Sequence, residues 1–151
     1  MQNIMTLLHV LGVVVWVGGM FFAYMALRPV AAGVLEPPQR LKLWAGVFGK
    51  FFPWVWLSVV LILASGLHML MVFGGFQAPH YALTMLLLGV VMMLIFAHVF
   101  FAPYKKLKRA VAAQDWPAGG AALAQIRLLI GINLLLGLLT IIVVFVGRLA
   151  G

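Results

Sequence analysis

Four uninterrupted apolar stretches, each long enough to cross a bilayer, constrain the fold of this chain more than any other feature. They run roughly from Ile4 to Leu27, Phe52 to Phe73, Tyr81 to Ala102 and Leu128 to Val146. A hydrocarbon core about 30 Å thick is spanned by a helix of roughly 20 residues. The stretches do not alternate in polarity, which excludes the strands of a membrane barrel. Only 8% of the residues are charged and 66% are hydrophobic, against about 25% charged in a soluble domain. The expected fold is all-α: a polytopic membrane protein with one four-transmembrane-helix bundle over residues 1–151 and the lipid bilayer as its solvent.

The charges give this bundle a direction. The net charge is +8, and all the Lys and Arg residues except Arg148, at the far end of the fourth span, fall in two of the three loops. The first loop carries Arg28, Arg40, Lys42 and Lys50 against Glu36. The third carries Lys105, Lys106, Lys108, Arg109 and Arg127 against Asp115. The second, residues 74–79, carries none. Cytoplasmic loops are enriched in Lys and Arg, so loops 1 and 3 are expected in the cytoplasm and both termini outside, in the periplasm of a bacterial-type inner (plasma) membrane. The basic surplus is then a loop bias, with no nucleic acid implied. The first apolar stretch has no positive segment before it and is too long for a signal peptide's core, so it reads as a retained helix. Residues 39–52 and 104–114 mix bases with bulky apolar residues. They fit either short amphipathic helices at the membrane surface or solvated basic loops.

Ionisable groups inside spans are costly and mark functional positions. His9 and His68 each lie about a turn and a half from the outer ends of adjacent antiparallel spans, roughly 8–10 Å deep. A bis-imidazole haem b needs such a pair, one nitrogen on each side of the iron. Gly12 and Gly66 would leave room for a macrocycle; Trp16, one turn below Gly12, fits either a contact with that cofactor or ordinary core packing. Two unrelated histidines bonded to backbone or water fit the same positions. His80, at the outer mouth of the third span, is an interfacial residue or a rival ligand. His98 and Asn133 share the inner depth of the third and fourth spans. With Arg28 and Arg127 they form a candidate polar cluster for propionates or a substrate carboxylate, or else only one interhelical hydrogen bond.

Methionines add a second chemistry. Met5 is one turn before His9, and Met69 and Met71 flank His68. Thioether with imidazole suits Cu(I), which makes Met5 and Met71 alternative copper ligands beside the histidines. Met20, Met85, Met92 and Met93 read as packing. Trp44, Trp54 and Trp116 fit the inner aromatic belt. The chain has no cysteine, which excludes disulfides, iron–sulfur ligation, thiolate metal sites and covalent c-type haem. No acidic residue lies in a span, and no phosphate-binding or dinucleotide fingerprint appears. Chemistry would have to come from a bound cofactor.

The stretch Leu8-His9-Val10, then Trp16-Val17-Gly18-Gly19-Met20-Phe21-Phe22 and Arg28-Pro29, resembles the first helix of the copper-resistance protein D (CopD) family. The run from Phe96 through His98, Pro103 and Tyr104 to Leu107 resembles its third helix and following basic loop. Arg127 and Ile132-Asn133 extend the likeness into the fourth span. The same features resemble the HemJ-type protoporphyrinogen oxidases, four-helix membrane proteins associated with haem b, which His9, His98 and Asn133 would match. This chain departs from that group with Ala82 and Leu134, where a basic and an acidic residue are usual.

The resulting expectation is a CopD-like protein that binds haem b through His9 and His68 and passes electrons to a redox partner or quinone, an oxidoreductase role. The alternatives are a copper-transport or copper-resistance protein using His and Met ligands, and a HemJ-like oxidase. Gly18-Gly19, Gly131 and Gly137 permit close helix contacts, within one chain or in a homo-oligomer.

Overall fold

The computed structural model describes residues 2–150. They form helices joined by short turns, with no strand among them. α1 (Gln2–Phe22) passes through one widened turn, Ala23–Leu27, into α2 (Arg28–Val34). In that turn the Arg28 N–H bonds back to Ala23 O, five residues away. Pro29, which has no N–H to continue a regular ladder, follows at once. α3 (Pro37–Val72) starts after a two-residue break with Pro37 and Pro38 in its first turn, where a missing N–H is tolerated. A turn at Gly74 and Gly75, both at positive φ, leads to α4 (His80–Phe101). α5 (Pro103–Ala112) and α6 (Trp116–Ala150) complete the chain.

The four long segments, Gln2–Val34, Pro37–Val72, His80–Ala112 and Trp116–Ala150, are each long and apolar enough to cross a membrane. At most 28% of the most apolar window of any of them is buried inside the protein. Side chains such as Val14, Val60, Leu87, Leu94, Leu135 and Phe145 point outward. Such faces are stable only against lipid, and the chain is a multi-pass membrane protein.

Two antiparallel pairs build the bundle: α1 lies along α3, and α4 lies along α6. They join where α1 meets α6 and where α5 folds back across α6 and α3. The heaviest core sits at the end carrying the basic loops. Phe48 and Phe52 of α3 stack at 4.9 Å, and Phe52 meets Tyr104 of α5 and Phe96 of α4 edge-on at 4.9 and 5.3 Å. Trp56 adds a further edge contact to Phe96 at 4.9 Å. Each such aromatic pair contributes about 0.5–1.5 kcal/mol beyond its burial, so this cluster ties α3, α4 and α5 together.

Two segments between the apolar stretches behave differently from one another. Residues 104–114 contain the amphipathic α5: Tyr104, Leu107 and Ala110 are buried at helical spacing while its lysines are exposed. Residues 39–52 make no separate surface helix. They are the first turns of α3, which at 36 residues is about 54 Å long, far beyond the hydrocarbon thickness. α6 likewise begins at Trp116, well before the apolar stretch that opens at Leu128.

Candidate functional site

The α1–α3 seam near the chain termini holds the most informative polar contact. The His9 ring is half-buried, and its Nδ1 lies 3.2 Å from Ser65 Oγ. The Ser65 hydroxyl donates to the Leu61 carbonyl one turn back, and that hydroxyl has only one hydrogen. With the Ser65 hydrogen on Leu61 O, the tautomer that satisfies both groups carries its proton on Nδ1, facing Ser65 Oγ, and keeps the Nε2 lone pair for a proton or metal.

The neighbouring contacts set the register. Thr6 Oγ1, whose hydrogen goes to Gln2 O at 3.0 Å, touches Met69 Sδ at 3.5 Å. A Cβ at Gly66 would sit 3.3 Å from His9 Cε1, and one at Gly12 would sit 2.8 Å from Ile62 Cγ1 and 3.1 Å from Ser58 O. Thr6 thus faces Met69, His9 faces Ser65 and Gly66, and Gly12 faces Ile62. Met5 is half-buried one turn from His9 on the same face of α1, and Met69 is half-buried one turn from Ser65 on the same face of α3. Imidazole and thioethers from two helices therefore line one seam.

A haem held between His9 and His68 does not fit this arrangement. The glycines read as space for a macrocycle are filled: Gly12 by Ile62, and Gly66 by His9 itself. His68 is exposed, and it lies three residues beyond Ser65, about 4.5 Å further along α3. Its ring leaves the seam that the His9 ring enters. Trp16 is 3% exposed but sits two turns from His9, edge-on to Phe96 at 6.2 Å. It packs in the bundle core, away from either histidine. Met71 is 78% exposed; Met69 is the flanking methionine that faces α1.

The other candidate residues divide between two places. Asn133 is buried and donates Nδ2–H to Met92 O at 3.1 Å, while its Oδ1 has no partner. It lines a gap of about 10 Å³ with Trp16, Met20, Phe52 and Phe96. His98 lies six residues, or about 9 Å, beyond Met92 and is exposed, so it does not join Asn133. His80 is exposed at the start of α4. Ala82 and Leu134 are buried apolar residues.

Arg28 and Arg127 do come together, on a cavity of about 270 Å³ at the basic end. The sequence reading missed a third member, Arg40. Its Nη2 donates to Leu35 O at 3.1 Å and Ala32 O at 3.3 Å, and its Nε is buried without a partner. Arg28 donates Nε–H to Tyr24 O at 3.1 Å and stacks over the Tyr24 ring at 4.4 Å. Trp44, Phe48 and Trp116 supply aromatic wall. Trp44 is 6% exposed and so lines the interior instead of the lipid-facing belt. The signal for Arg40 was its place one turn into α3, which was obscured because residues 39–52 read as either a separate surface helix or a solvated loop, and not as the start of the second span.

Among the described residues no three His, Cys, Asp or Glu side chains gather as a metal site. The soft-donor seam at His9 and the arginine-lined cavity are thus two separate places with different chemistry. No curated protein and no solved structure matches the chain. A family model described as copper resistance protein D matches residues 45–146, about two thirds of the chain, running from α3 through α6. On that match the chain belongs to the copper resistance protein D family.

Proposed function

We propose that the protein handles copper in the membrane, accepting Cu(I) as cargo at the α1–α3 seam. His9 Nε2 is the nitrogen donor, and the Met5 and Met69 thioethers are the sulfur donors. The observation that supports this reading is the 3.2 Å contact of His9 Nδ1 with Ser65 Oγ, which favours the tautomer with Nδ1–H engaged and Nε2 open. Metal-binding histidines are oriented in this way by a partner on the other ring nitrogen. Thioether and imidazole are the ligand types that favour Cu(I) over harder cations. Family membership supports the copper connection.

Each residue has a distinct part. His9 binds and, when protonated, releases the ion. Met5 and Met69 discriminate by softness. Ser65 orients. The seam lies near the end carrying the termini, and the proposed orientation puts that end, with the second loop, outside the cell. Copper would enter there.

The test is Cu(I) titration of purified protein under anaerobic conditions against a chromophoric chelator, with an absorption spectrum of protein from haem-supplemented cells. Stoichiometric Cu(I), lost in His9→Ala and Met69→Leu, is expected. Copper accumulation in cells should change with expression. A b-type haem spectrum near one per chain, with no Cu(I) competition, would overturn the proposal.

A further inference from the structure

The arginine-lined cavity is unrelated to the copper seam and poses its own physical problem. Arg28, Arg40 and Arg127 converge on it, and no carboxylate lines it. The chain has only two acidic residues, and Asp115 is occupied at the start of α6, where its Oδ1 accepts from Ala118 N–H at 3.3 Å. Glu36, exposed at the N-cap of α3, is not among the lining residues, so three positive groups share a pocket whose wall holds no countercharge. Arg40 Nε is buried with no acceptor, and an unsatisfied charged donor is among the costlier features a fold can retain.

The remaining wall is apolar and aromatic: Trp44, Phe48 and Trp116, with Tyr24 under Arg28. The cavity of about 270 Å³ is close to the lower end of small-molecule sites, about 300 Å³. That is more room than a free inorganic anion fills, and it suits a headgroup with the first part of a chain. The pocket lies at the basic end of a membrane bundle, where α5 carries four further cations, Lys105, Lys106, Lys108 and Arg109. Guanidinium forks match phosphate oxygens two at a time. Basic pockets between transmembrane helices on the cytoplasmic side hold anionic headgroups.

We infer that this cavity is a specific site for an anionic phospholipid, with the phosphate held by Arg28, Arg40 and Arg127 and the upper acyl chain against Trp44, Phe48 and Trp116. Arg40 Nε–H then gains the acceptor it lacks. Arg28, already fixed by Tyr24 through its Nε, keeps its terminal amino groups for the phosphate. The widened turn at Ala23–Leu27 sets Tyr24 and Arg28 on the cavity wall.

The test is native mass spectrometry of the full chain released from nanodiscs of mixed phosphatidylglycerol and phosphatidylcholine. One phosphatidylglycerol per chain should survive activation that strips phosphatidylcholine. Retention should fall about tenfold in Arg40→Gln/Arg127→Gln, as expected for the loss of charge-assisted contacts. Arg127→Gln alone, on an exposed side chain, should show a clear part of that loss with an unchanged helical spectrum. The pair Lys106→Gln/Arg109→Gln removes the same charge from α5 and should leave retention intact. Equal retention of both lipids, or an equal loss in the α5 pair, would show only bulk surface attraction and overturn the site. Displacement of the lipid by an equal concentration of inorganic phosphate would assign the pocket to a soluble anion and likewise overturn the lipid reading.

Discussion

His9 Nδ1 lies 3.2 Å from Ser65 Oγ across the α1–α3 seam, and with the Ser65 hydrogen on Leu61 O this contact puts the ring proton on Nδ1 and the lone pair on Nε2. Ser65→Ala removes the acceptor without adding bulk. The helices should stay packed, because Gly66 and Ile62 still meet His9 and Gly12. Cu(I) affinity is expected to fall about 10–100-fold, the usual cost of losing the partner that orients a metal-binding histidine. Chelator competition measures it; an unchanged affinity would remove Ser65 from the site.

The two methionines beside His68 separate the seam from the lipid face. Met69 is half-buried and its sulfur lies 3.5 Å from Thr6 Oγ1, while Met71 is 78% exposed. Met69→Leu should weaken Cu(I) binding by about tenfold or more, and Met71→Leu should leave it unchanged. Leucine conserves volume, so neither change should cost more than about 1.5 kcal/mol of stability. Equal effects at both positions would mean that α3 is rotated relative to α1 in the membrane.

Gly12 is where α1 comes close to the backbone of α3. An added methyl would sit 2.8 Å from Ile62 and 3.1 Å from the Ser58 carbonyl. The side chain can turn, but the carbonyl belongs to the helix backbone. Gly12→Ala should therefore cost about 1–3 kcal/mol through overpacking. Gly18→Ala, with nothing within 4 Å, should be neutral. Unfolding in mixed micelles compares the two. A neutral Gly12→Ala would show that α1 and α3 do not pack this closely.

The number and type of spans were legible because a stretch of apolar residues long enough to cross hydrocarbon has few alternatives. The rotation of each helix was not. In a soluble protein the polar face identifies the buried face by contrast. Here both Met69 and Met71 sit among apolar neighbours, because the outer face meets lipid. Depth alone paired His9 with His68, and depth says nothing about azimuth. The better signal was the small and polar set Gly12, Ser65 and Gly66, since small residues mark where membrane helices approach. Those glycines were read as space for a ligand, whereas they are the contact. Arg40 was hidden for a different reason: α3 extends about four turns beyond its apolar stretch, so a cavity residue resembled a loop cation.

Asn133 offers a test of the bundle's centre. It makes one bond, Nδ2–H to Met92 O at 3.1 Å, and buries an unpartnered Oδ1. The gain from the bond and the cost of the orphaned oxygen are each about 1 kcal/mol. Asn133→Leu should thus change stability by less than about 1.5 kcal/mol. Asn133→Asp puts a carboxyl in the same place, loses the donor to Met92 and should destabilise by several times as much, on the order of 3 kcal/mol. The gap beside it, about 10 Å³, approaches the space of one water. A water bound there would supply Oδ1 with a donor. Asn133→Leu would then cost more, and a large loss of stability would point to that water.

The orientation expected from the charge bias can be tested without disturbing the core. Lys108 on α5 and Gln77 in the second loop are both exposed, at opposite ends of α4. The chain has no cysteine, so Gln77→Cys and Lys108→Cys each introduce one thiol on an otherwise unreactive background. Neither side chain makes a hydrogen bond whose loss would affect folding, although Lys108 rests 4.6 Å over the Tyr104 ring, an exposed contact of about 0.5–1 kcal/mol. With loops 1 and 3 inside, a membrane-impermeant maleimide applied to intact spheroplasts should label Gln77→Cys and leave Lys108→Cys unlabelled until the membrane is opened. Bases are retained on the cytoplasmic side, and four cations on α5 alone make inversion costly. The reverse labelling pattern would place the His9 seam on the cytoplasmic face and the three arginines outside. Copper would then have to reach the seam from within the cell, and the lipid site would face the outer leaflet.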